Sequence, residues 1–492
     1  MTDAPPHAPQ PAAPESADPS GTAPQPVAPQ PAAPTARPAP VELTGADREL
    51  LLHLIGLPTA GPLEVGPDGP RPELWQAQRD YARAAAELGY TVVHHAAPEP
   101  AVLERDGVPV TVREAAAAQP DFLECQPSMV LRLGPELPAE RTVMFNVHLD
   151  TVAGFEPPRF AEGRFHGRGA IDAKGPAVAL LAGLRAAQAE LPDLGTEIGV
   201  RIQLVAGEEG GAMGVFGTRP LVEAGHTGRL NVFCEPTRNR VVPRSTAAAT
   251  ARITVAGQDS IDDRPGGGHN ATVLLGHLAS HLAERLSERV EGGRVCIAGL
   301  HTGTLHNKVY GSGHLLLNLA YTSTEAGLAL QRALTDEVAA GLAAFTERYA
   351  ELPDFALTAR EAAQVTTLDW LKRGLPALHS TDPWAERLLT EGAGLAYAPA
   401  DADVCTCDAI WMHGVPGAYT VVYGPGDLDA NGAHAEGEHA DLADLESFAT
   451  GVRDLLRAFT AEHRAGHAPP GEPAATAPDR NSRTALARNG WS

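Results

Sequence analysis

A histidine and an aspartate directly follow an apolar run of the kind that forms a buried parallel strand. The run comprises residues 143–147, and His148 and Asp150 come at its end. Open α/β sheets bind their ligands at the carboxyl ends of strands, so this pair lies where such proteins build their sites. Residues i and i+2 of an extended chain face the same side. We therefore expect the Asp150 carboxylate to accept the second ring N–H of His148, which leaves the other nitrogen free to bind a metal.

Two adjacent carboxylates end a second apolar run. Glu208 and Glu209 follow residues 198–205 and lie among glycines, whereas glutamate pairs on exposed helices usually lie among lysines and arginines. Adjacent side chains diverge, so one carboxylate can bind a metal while the other faces a water molecule. The flanking glycines let a substrate approach the backbone closely. We therefore interpret this pair as functional.

Three further candidates depend on this context. Asp172 lies between a glycine-rich loop and an apolar segment, residues 176–191, that is predicted to be helical. Glu235 ends another apolar run, and His434 lies in a loop before the last amphipathic helix. Taken alone, an aspartate before a helix is usually an N-cap, and single residues such as Glu235 and His434 are more often structural or solvated than ligands.

The cysteines indicate a reducing environment. Five cysteines in 492 residues, an odd number, argue against a disulfide framework. Cys405 and Cys407, near His413, form a second conceivable metal set, but we interpret them as buried, unreactive thiols. The start of the chain lacks the basic and apolar regions of a signal peptide. We therefore expect a cytoplasmic protein.

The charge and hydropathy argue against two classes of partner. Lys and Arg number 38 against 61 Asp and Glu, which gives a formal net charge of −23. Such a charge disfavours binding to nucleic acid and to anionic membrane surfaces. No run approaches the roughly 18 apolar residues that a membrane-spanning helix needs. We expect neither nucleic acid nor a membrane as a partner.

Five short motifs occur in a fixed order along residues 43–465: His148-x-Asp150, Gly-Arg-Gly-x-x-Asp172-x-Lys-Gly, Glu208-Glu209, Glu235-Pro-Thr and His434-x-x-x-Glu438. Together they resemble the motifs of the M20 family of dinuclear zinc amidohydrolases, which includes acetylornithine deacetylase, succinyl-diaminopimelate desuccinylase and carboxypeptidase G. The Glu-Pro-Thr form of the fourth motif is more similar to the deacylases and carboxypeptidases than to the aminopeptidases, which carry Asp there.

The resemblance implies a set of metal ligands. Asp172 would bridge two metal ions, His148 and Glu235 would complete one site, and Glu209 and His434 would complete the other. Imidazole nitrogen and carboxylate oxygen without thiolate suit two Zn²⁺ ions, with Co²⁺ or Mn²⁺ as conceivable substitutes.

The resemblance also implies a division of catalytic work. Two metal ions roughly 3.5–4 Å apart hold a bridging water and lower its pKa. Glu208 would take the proton of that water, let hydroxide attack the amide carbonyl, and return the proton to the leaving amine. Asp150 would not bind a metal ion itself but would act on the site through its contact with His148.

The implied fold is α/β. A catalytic domain with a central, mostly parallel sheet flanked by helices would comprise residues 43–243 and 362–465. An inserted α+β domain of βαββαβ order, residues 244–361, would form a lid, and in the family this lid commonly pairs two subunits edge to edge; a homodimer is the oligomer that it suggests. Residues 1–42 and 466–492 are rich in Ala and Pro, bury no core, and are expected to be disordered tails.

The predicted lid departs from the family at two positions. Ile261 stands where the family has a His that helps to hold the carbonyl oxyanion, and Ala320 stands where it has an Arg that grips the substrate carboxylate. Asn307 is kept. His269 and His306 are alternative substrate-binding residues, although each is as readily a polar loop residue. We expect a substrate with a neutral or differently placed group where the family expects a carboxylate.

These observations predict a metal-dependent hydrolase. Its substrate would be a small molecule, an N-acyl amino acid, a dipeptide or a related biosynthetic intermediate, cleaved at an amide or peptide bond. The alternative is a binding or scaffold protein that has kept the fold without the activity. An intact Glu208 and a complete ligand set argue against that alternative.

Overall fold

Strands and helices alternate along most of the chain. The computed structural model describes residues 39–287, 289–402 and 404–466. The strands are β1 (Tyr90–Ala96), β2 (Ser128–Leu133), β3 (Thr142–His148), β4 (Arg159–Ala161), β5 (Arg164–His166), β6 (Gly199–Val205), β7 (Leu230–Phe233), β8 (Arg244–Ser245), β9 (Ala247–Ala256), β10 (Ser260–Ile261), β11 (Gly293–His301), β12 (Lys308–Val309), β13 (Ser312–Tyr321), β14 (Thr366–Lys372), β15 (Leu378–His379), β16 (Tyr419–Val422) and β17 (His439–Asp441). The helices are α1 (Gly45–Gly56), α2 (Pro62–Val65), α3 (Leu74–Glu87), α4 (Val110–Ala118), α5 (Lys174–Glu190), α6 (Thr218–Glu223), α7 (Ala271–Leu286), α8 (Thr324–Tyr349), α9 (Ala356–Val365), α10 (Pro383–Arg387) and α11 (Leu442–Arg464). In the described part of the chain, no helix combines the length and the hydrophobicity that a membrane crossing requires.

A six-stranded sheet carries the candidate ligands. Its strand order is β1-β2-β6-β3-β7-β16, in which β3 lies parallel to β6 and β7, and β16 lies parallel to β7. The two strands at the other edge, β1 and β2, run antiparallel to their neighbours. Every residue of β3, β6, β7 and β16 is buried, which explains their near-continuous apolar sequences. The predicted α/β fold is therefore confirmed.

Helices α5 and α11 pack closely against each other beside this sheet. Gly183 of α5 makes the approach possible, because a Cβ atom there would lie 2.6 Å from the carbonyl oxygen of Ala449 and 2.8 Å from the Cβ of Val452 in α11. The residues on both helices that face the sheet belong to its hydrophobic core. Because α5 begins two residues after Asp172, this packing anchors the helix that follows one of the candidate ligands.

A second, four-stranded antiparallel sheet has the order β11-β13-β9-β14. Leucines of α7 share a core with alternate residues of β9 and β13, among them Leu274, Ile253 and Leu317. The main elements follow the predicted βαββαβ order. The sheet extends past residue 361, the predicted end of the lid, because β14 at residues 366–372 pairs with β9.

Two predictions from the sequence are wrong in this region: a hairpin of residues 307–310 with residues 315–321 around the glycines that flank Ser312, and a strand near Phe355. Lys308 and Val309 do not form a hairpin with the strand that follows them; β12 pairs with β10, and β13 pairs with β11 instead. The pairing of β13 with β11 brings Val295 and Ile297 of β11 against the hydrophobic core of this sheet. The strand expected near Phe355 is also absent from the described residues, since helix α9 begins at Ala356.

The packed chain begins before residue 43. Val41 is buried, and its backbone N–H donates to the Thr450 hydroxyl at 2.9 Å. Leu43 is buried as well, and its N–H donates to the Glu446 carboxylate at 3.1 Å. The entry segment therefore lies against α11. Of the two predicted tails, residues 1–42 and 466–492, the structure describes residues 39–42 and residue 466. The others lie outside the described residues.

The entry segment gives a test of where the folded chain starts. We expect Val41→Ala to lower the free energy of unfolding by about 1–3 kcal/mol, because it deletes buried methyl groups. The measurement is urea denaturation followed by circular dichroism. Glu42→Ala, at an exposed neighbour, is the matched control and should change stability by less than about 0.5 kcal/mol. Equal effects of the two variants would show that the segment does not dock.

Candidate metal centre

Most of the candidate ligands converge at one edge of the six-stranded sheet. His148 is the last residue of β3, Glu208 and Glu209 follow β6, and Glu235 follows β7. His434 lies in the loop that follows β16. These four strands are parallel neighbours, so their carboxyl ends meet at the same edge.

Asp172 lies between two groups of candidate ligands. Its Oδ1 is 2.9 Å from His148 Nε2, and its Oδ2 is 3.0 Å from His434 Nε2. Glu235 Oε2 is 3.7 Å from His148 Nε2, and Glu209 Oε1 is 3.2 Å from His434 Nε2. In each group of three, the nearest donor atoms lie within 4.8 Å of one another. Asp172 therefore offers one oxygen to each group.

The cluster carries more buried negative charge than its histidines can balance. His148, Asp172, Glu209 and Glu235 are all at most 8% exposed. Burial raises the pKa of Glu209 to about 7. Although burial opposes it, hydrogen bonds from His148 and His434 lower the pKa of Asp172. Buried carboxylates are costly unless they are paired or bind metals, so this set of nitrogen and oxygen donors fits divalent cations.

Glu208 differs from its neighbour Glu209. It is only half-buried by exposed area. Desolvation raises the pKa of Glu208 well above its ordinary value, and the nearby carboxylates of Glu235, Asp408 and Glu209 add to that increase. Glu208 also lies within 4.8 Å of donor atoms of His148 and Glu209. A carboxyl with a raised pKa can take a proton and hold it.

The Asp150 carboxylate does not accept from His148, contrary to our expectation. The His148 Nδ1–H instead donates to the backbone carbonyl oxygen of Asp150 at 2.9 Å, and the carboxylate Oδ1 lies 3.7 Å away. The other carboxylate oxygen, Oδ2, accepts the backbone N–H groups of Gly207 and Glu209 at 3.0 and 3.1 Å. The carboxylate therefore holds the loop that carries Glu208.

Glu438 is a site residue to which the sequence assigned no role. It is 1% exposed, and its carboxylate accepts the backbone N–H groups of Gly169, Ile171 and Asp172 at 3.0 to 3.2 Å. It also accepts from the Arg168 guanidinium at 2.6 Å. The loop of His434 is thereby joined to the loop of Asp172. Its spacing of four residues from His434 was the only signal in the sequence.

A second buried acid, Asp408, contacts the loop that carries Glu208. The Asp408 carboxyl accepts from the Thr218 hydroxyl and packs directly on Gly214, where a Cβ atom would lie 2.4 Å from it. Burial raises the pKa of Asp408 to about 8. Beside it, Trp411 Nε1 donates to the carbonyl oxygen of Met213 at 2.6 Å. These contacts fix the far end of the loop.

The predicted substrate-binding residues are His269, His306 and Asn307, and their hydrogen bonds in the described part of the chain do not involve the candidate ligands. His269 is buried, its Nδ1 accepts the Gln258 N–H at 2.9 Å, and its Nε2 lies 3.2 Å from Glu361. Both ring nitrogens are thus engaged beside the second sheet, which favours a structural role over oxyanion binding. His306 and Asn307 are exposed. Among the described residues, no hydrogen bond joins His269, His306 or Asn307 to the candidate ligands.

Ile261 and Ala320, the two departures from the family pattern, both belong to the second sheet region. Ile261 is half exposed and lies on the short strand β10. Ala320 pairs with Ala248 on one side and with Arg294 on the other. Neither position offers a polar side chain.

Comparisons with known proteins identify a family and several similar folds. The model of peptidase family M20/M25/M40 matches residues 144–458. A tripeptidase from Staphylococcus aureus is similar in structure, with a TM-score of 0.61 at 13% identity over 84% of this chain and 98% of that one. An M20 family metallo-carboxypeptidase from Sulfolobus solfataricus matches with a TM-score of 0.60 at 12% identity, over 85% of this chain and 100% of that one. A dinuclear metal-binding M20 peptidase from Bacillus subtilis matches with a TM-score of 0.53 at 12% identity, over 85% and 99%. A search of curated proteins finds no match.

The hydrogen bonds of Asp150 distinguish a positioning role from a charge effect on His148. Asp150→Asn keeps an oxygen that can accept from Gly207 and Glu209, whereas Asp150→Ala removes it. We expect Asp150→Ala to speed deuterium exchange in residues 205–214 by about tenfold, since hydrogen bonds to a charged acceptor are lost. Mass spectrometry of the exchanged protein measures this.

Asp150→Asn should exchange nearly as the wild type does. If the Asp150 charge mattered mainly through His148, the two variants would instead lose bound metal to the same extent and leave exchange of the loop unchanged. Elemental analysis of the same samples provides that comparison.

Proposed function

Because the chain belongs to peptidase family M20/M25/M40, we propose that it is a hydrolase that uses two metal ions to cleave an amide or peptide bond in a small molecule. The proposed substrates are N-acyl amino acids, dipeptides or related biosynthetic intermediates. The observation that carries the proposal is the position of Asp172, which presents one carboxylate oxygen to each of two ligand groups.

The proposed ligands follow from those groups. His148 and Glu235 would hold one ion, Glu209 and His434 the other, and Asp172 both. Zn²⁺ suits this donor set, and Co²⁺ or Mn²⁺ could replace it. When bound, such ions polarise an amide carbonyl and lower the pKa of water.

Glu208 is proposed to move the proton of the reaction. Its raised pKa lets a carboxylate oxygen accept a proton from the attacking water and keep it until the amide nitrogen leaves. The contacts of Asp150 and Asp408 with the same loop support this assignment, because a general base must be held at a fixed distance from its target. A scaffold protein would need neither the base nor its supports.

We also propose a cellular location and an oligomeric state for this enzyme. All five cysteines are free thiols, which supports a cytoplasmic location. Among the described residues, strand β11 lies at one edge of the second sheet, where a strand of a second copy could be added, which supports a homodimer paired through that edge.

The division of labour between the two adjacent glutamates can be tested directly. Glu208→Gln removes the proton acceptor and keeps the side-chain size, so turnover should fall by roughly 10²–10⁴-fold with two metal ions still bound. Glu209→Gln replaces a proposed ligand and should lower the metal content. Elemental analysis and hydrolysis of an N-acyl amino acid panel measure the two effects.

Chelation supplies the control for these variants. Removing the ions should abolish turnover and lower the melting temperature, and the shift should depend on free Zn²⁺ because the ion binds the folded state. Loss of metal from both glutamine variants alike would contradict the assignment of Glu208. One ion or none per wild-type chain would contradict the proposed pair.

A further inference from the structure

An exposed aromatic side chain lies in the loop that follows His148 and Asp150. This loop, residues 151–158, connects β3 with β4 and is called the rim loop below. Phe155 lies near its middle and is 60% exposed; among the large hydrophobic side chains of the described residues, only Leu305 is equally exposed. A single exposed apolar residue is ordinary on a protein surface, so the position of Phe155 decides what it can do.

Before Phe155, the rim loop is held beside the loop of the two adjacent glutamates. The Ala153 N–H donates to Glu64 Oε2 at 3.0 Å. Glu64 and Leu63 belong to α2, and a Cβ atom at Gly210 would lie 2.6 Å from the Cβ of Leu63 and 3.5 Å from Glu64 Oε1. Because Gly210 directly follows a proposed metal ligand and α2 contacts both segments, the rim loop lies next to that ligand's loop.

On the other side of Phe155, the rim loop is held to the loop of His434. The Glu156 carboxylate accepts the backbone N–H of Gly437 at 2.7 Å. The backbone at residue 154 lies against the Arg168 guanidinium, because a Cβ atom there would be 3.3 Å from one of its nitrogens. The same guanidinium donates to a backbone carbonyl oxygen of the His434 loop at 3.1 Å. Contacts therefore fix the rim loop on both sides of its exposed ring.

Phe155 thus lies between the segments that carry two ligands of the same proposed ion. Glu209 and His434 share that ligand group with Asp172. The group is open to solvent, since the His434 side chain is 51% exposed, whereas the His148 side chain of the other group is 1% exposed. A ligand that enters the centre from solvent therefore arrives on the side where the rim loop lies.

The neighbouring Phe160 shows how such a ring packs within the fold. Its ring lies against that of Phe165, with centroids 4.6 Å apart, and under the Arg48 guanidinium at 5.6 Å. Phe155 has neither kind of partner among the described residues, and it belongs to none of their hydrophobic clusters. Its ring therefore contributes little to packing and gains most when a ligand covers it.

We infer that Phe155 contacts the substrate, and that the hydrolase prefers an amide with an alkyl or aromatic group beside the bond that is cleaved. An aromatic ring offers a large apolar area for such a group. Because the rim loop is held on both sides of Phe155, little ordering is needed when the substrate binds. This inference rests on the proposed hydrolase function, because the open side belongs to that site.

The first experiment compares substrates of different chain length on the metal-loaded full chain. N-hexanoyl-L-alanine extends N-acetyl-L-alanine by methylene groups on the acyl side only. N-acetyl-L-norleucine extends it on the amine side only. We expect the wild type to prefer the longer chain about tenfold in kcat/KM in one of the two comparisons, and that comparison identifies the side that Phe155 contacts.

Phe155→Ala should lower that preference to about twofold, because the longer chain loses the ring against which it packs. Phe155→Leu keeps an apolar side chain and should retain most of the preference. Leu328→Ala removes another exposed apolar side chain, on α8, and is the control that should leave the preference unchanged. An unchanged preference in Phe155→Ala, or no preference for the longer chain in either comparison, would overturn the inference. So would a change in oligomeric state on gel filtration without a change in preference, since the ring would then contact a second copy.

A binding measurement separates this inference from the hydrolase function. The probes are acetohydroxamate and hexanohydroxamate, which both chelate metal ions and differ in the length of the alkyl chain, and isothermal titration calorimetry measures their affinities for each metal-loaded variant. We expect the longer probe to bind about tenfold more tightly to the wild type and to Leu328→Ala, but only about twofold more tightly to Phe155→Ala. If no amide is cleaved but this difference depends on Phe155, the hydrolase proposal fails and the apolar subsite stands. If amides are cleaved and neither the substrate preference nor the probe difference depends on Phe155, the apolar subsite fails and the hydrolase stands.

Discussion

The Glu438 carboxylate is the contact on which the geometry of the site most depends. It accepts three backbone N–H groups from the Asp172 loop and one guanidinium N–H from Arg168, while it is almost completely buried. Backbone donors aimed at one carboxylate fix the path of a loop more tightly than side-chain packing alone. Because Glu438 lies four residues after His434, the same contact sets the distance between His434 and Asp172.

Beside this contact, Glu438 has a cationic partner of its own, whereas the acids at the centre share theirs. Arg168 neutralises Glu438, while His148 and His434 both face Asp172. Glu209 and Glu235 are left without a cation of their own except the histidines already shared with Asp172. Three buried carboxylates that share two histidines are arranged to receive positive charge from outside the chain.

The sequence predicts well which residues lie at the strand ends, and it predicts the hydrogen bonds around them poorly. His148, Glu208 and Glu235 follow apolar runs, and a buried parallel strand requires such runs, so their placement could be read from residue types. The partners of the Asp150 carboxylate are backbone N–H groups of a loop far along the chain, and backbone donors leave no pattern in a sequence. The same holds for Glu438. In the second sheet, the glycines around Ser312 indicated a local hairpin, but the long-range pairing of Lys308 and Val309 with β10 depends on the surrounding sheet rather than on the turn.

The order of the strands in the central sheet has a consequence for synthesis. Strands β7 and β16 are neighbours in space, yet the whole four-stranded sheet is encoded between them. A ribosome therefore delivers His148, Asp172, Glu209 and Glu235 long before the strand and the histidine that complete the cluster. Until then the sheet has an open edge at β7, and its acidic side chains lack both His434 and the brace from Glu438. The centre is thus completed only when nearly the entire folded chain has left the ribosome.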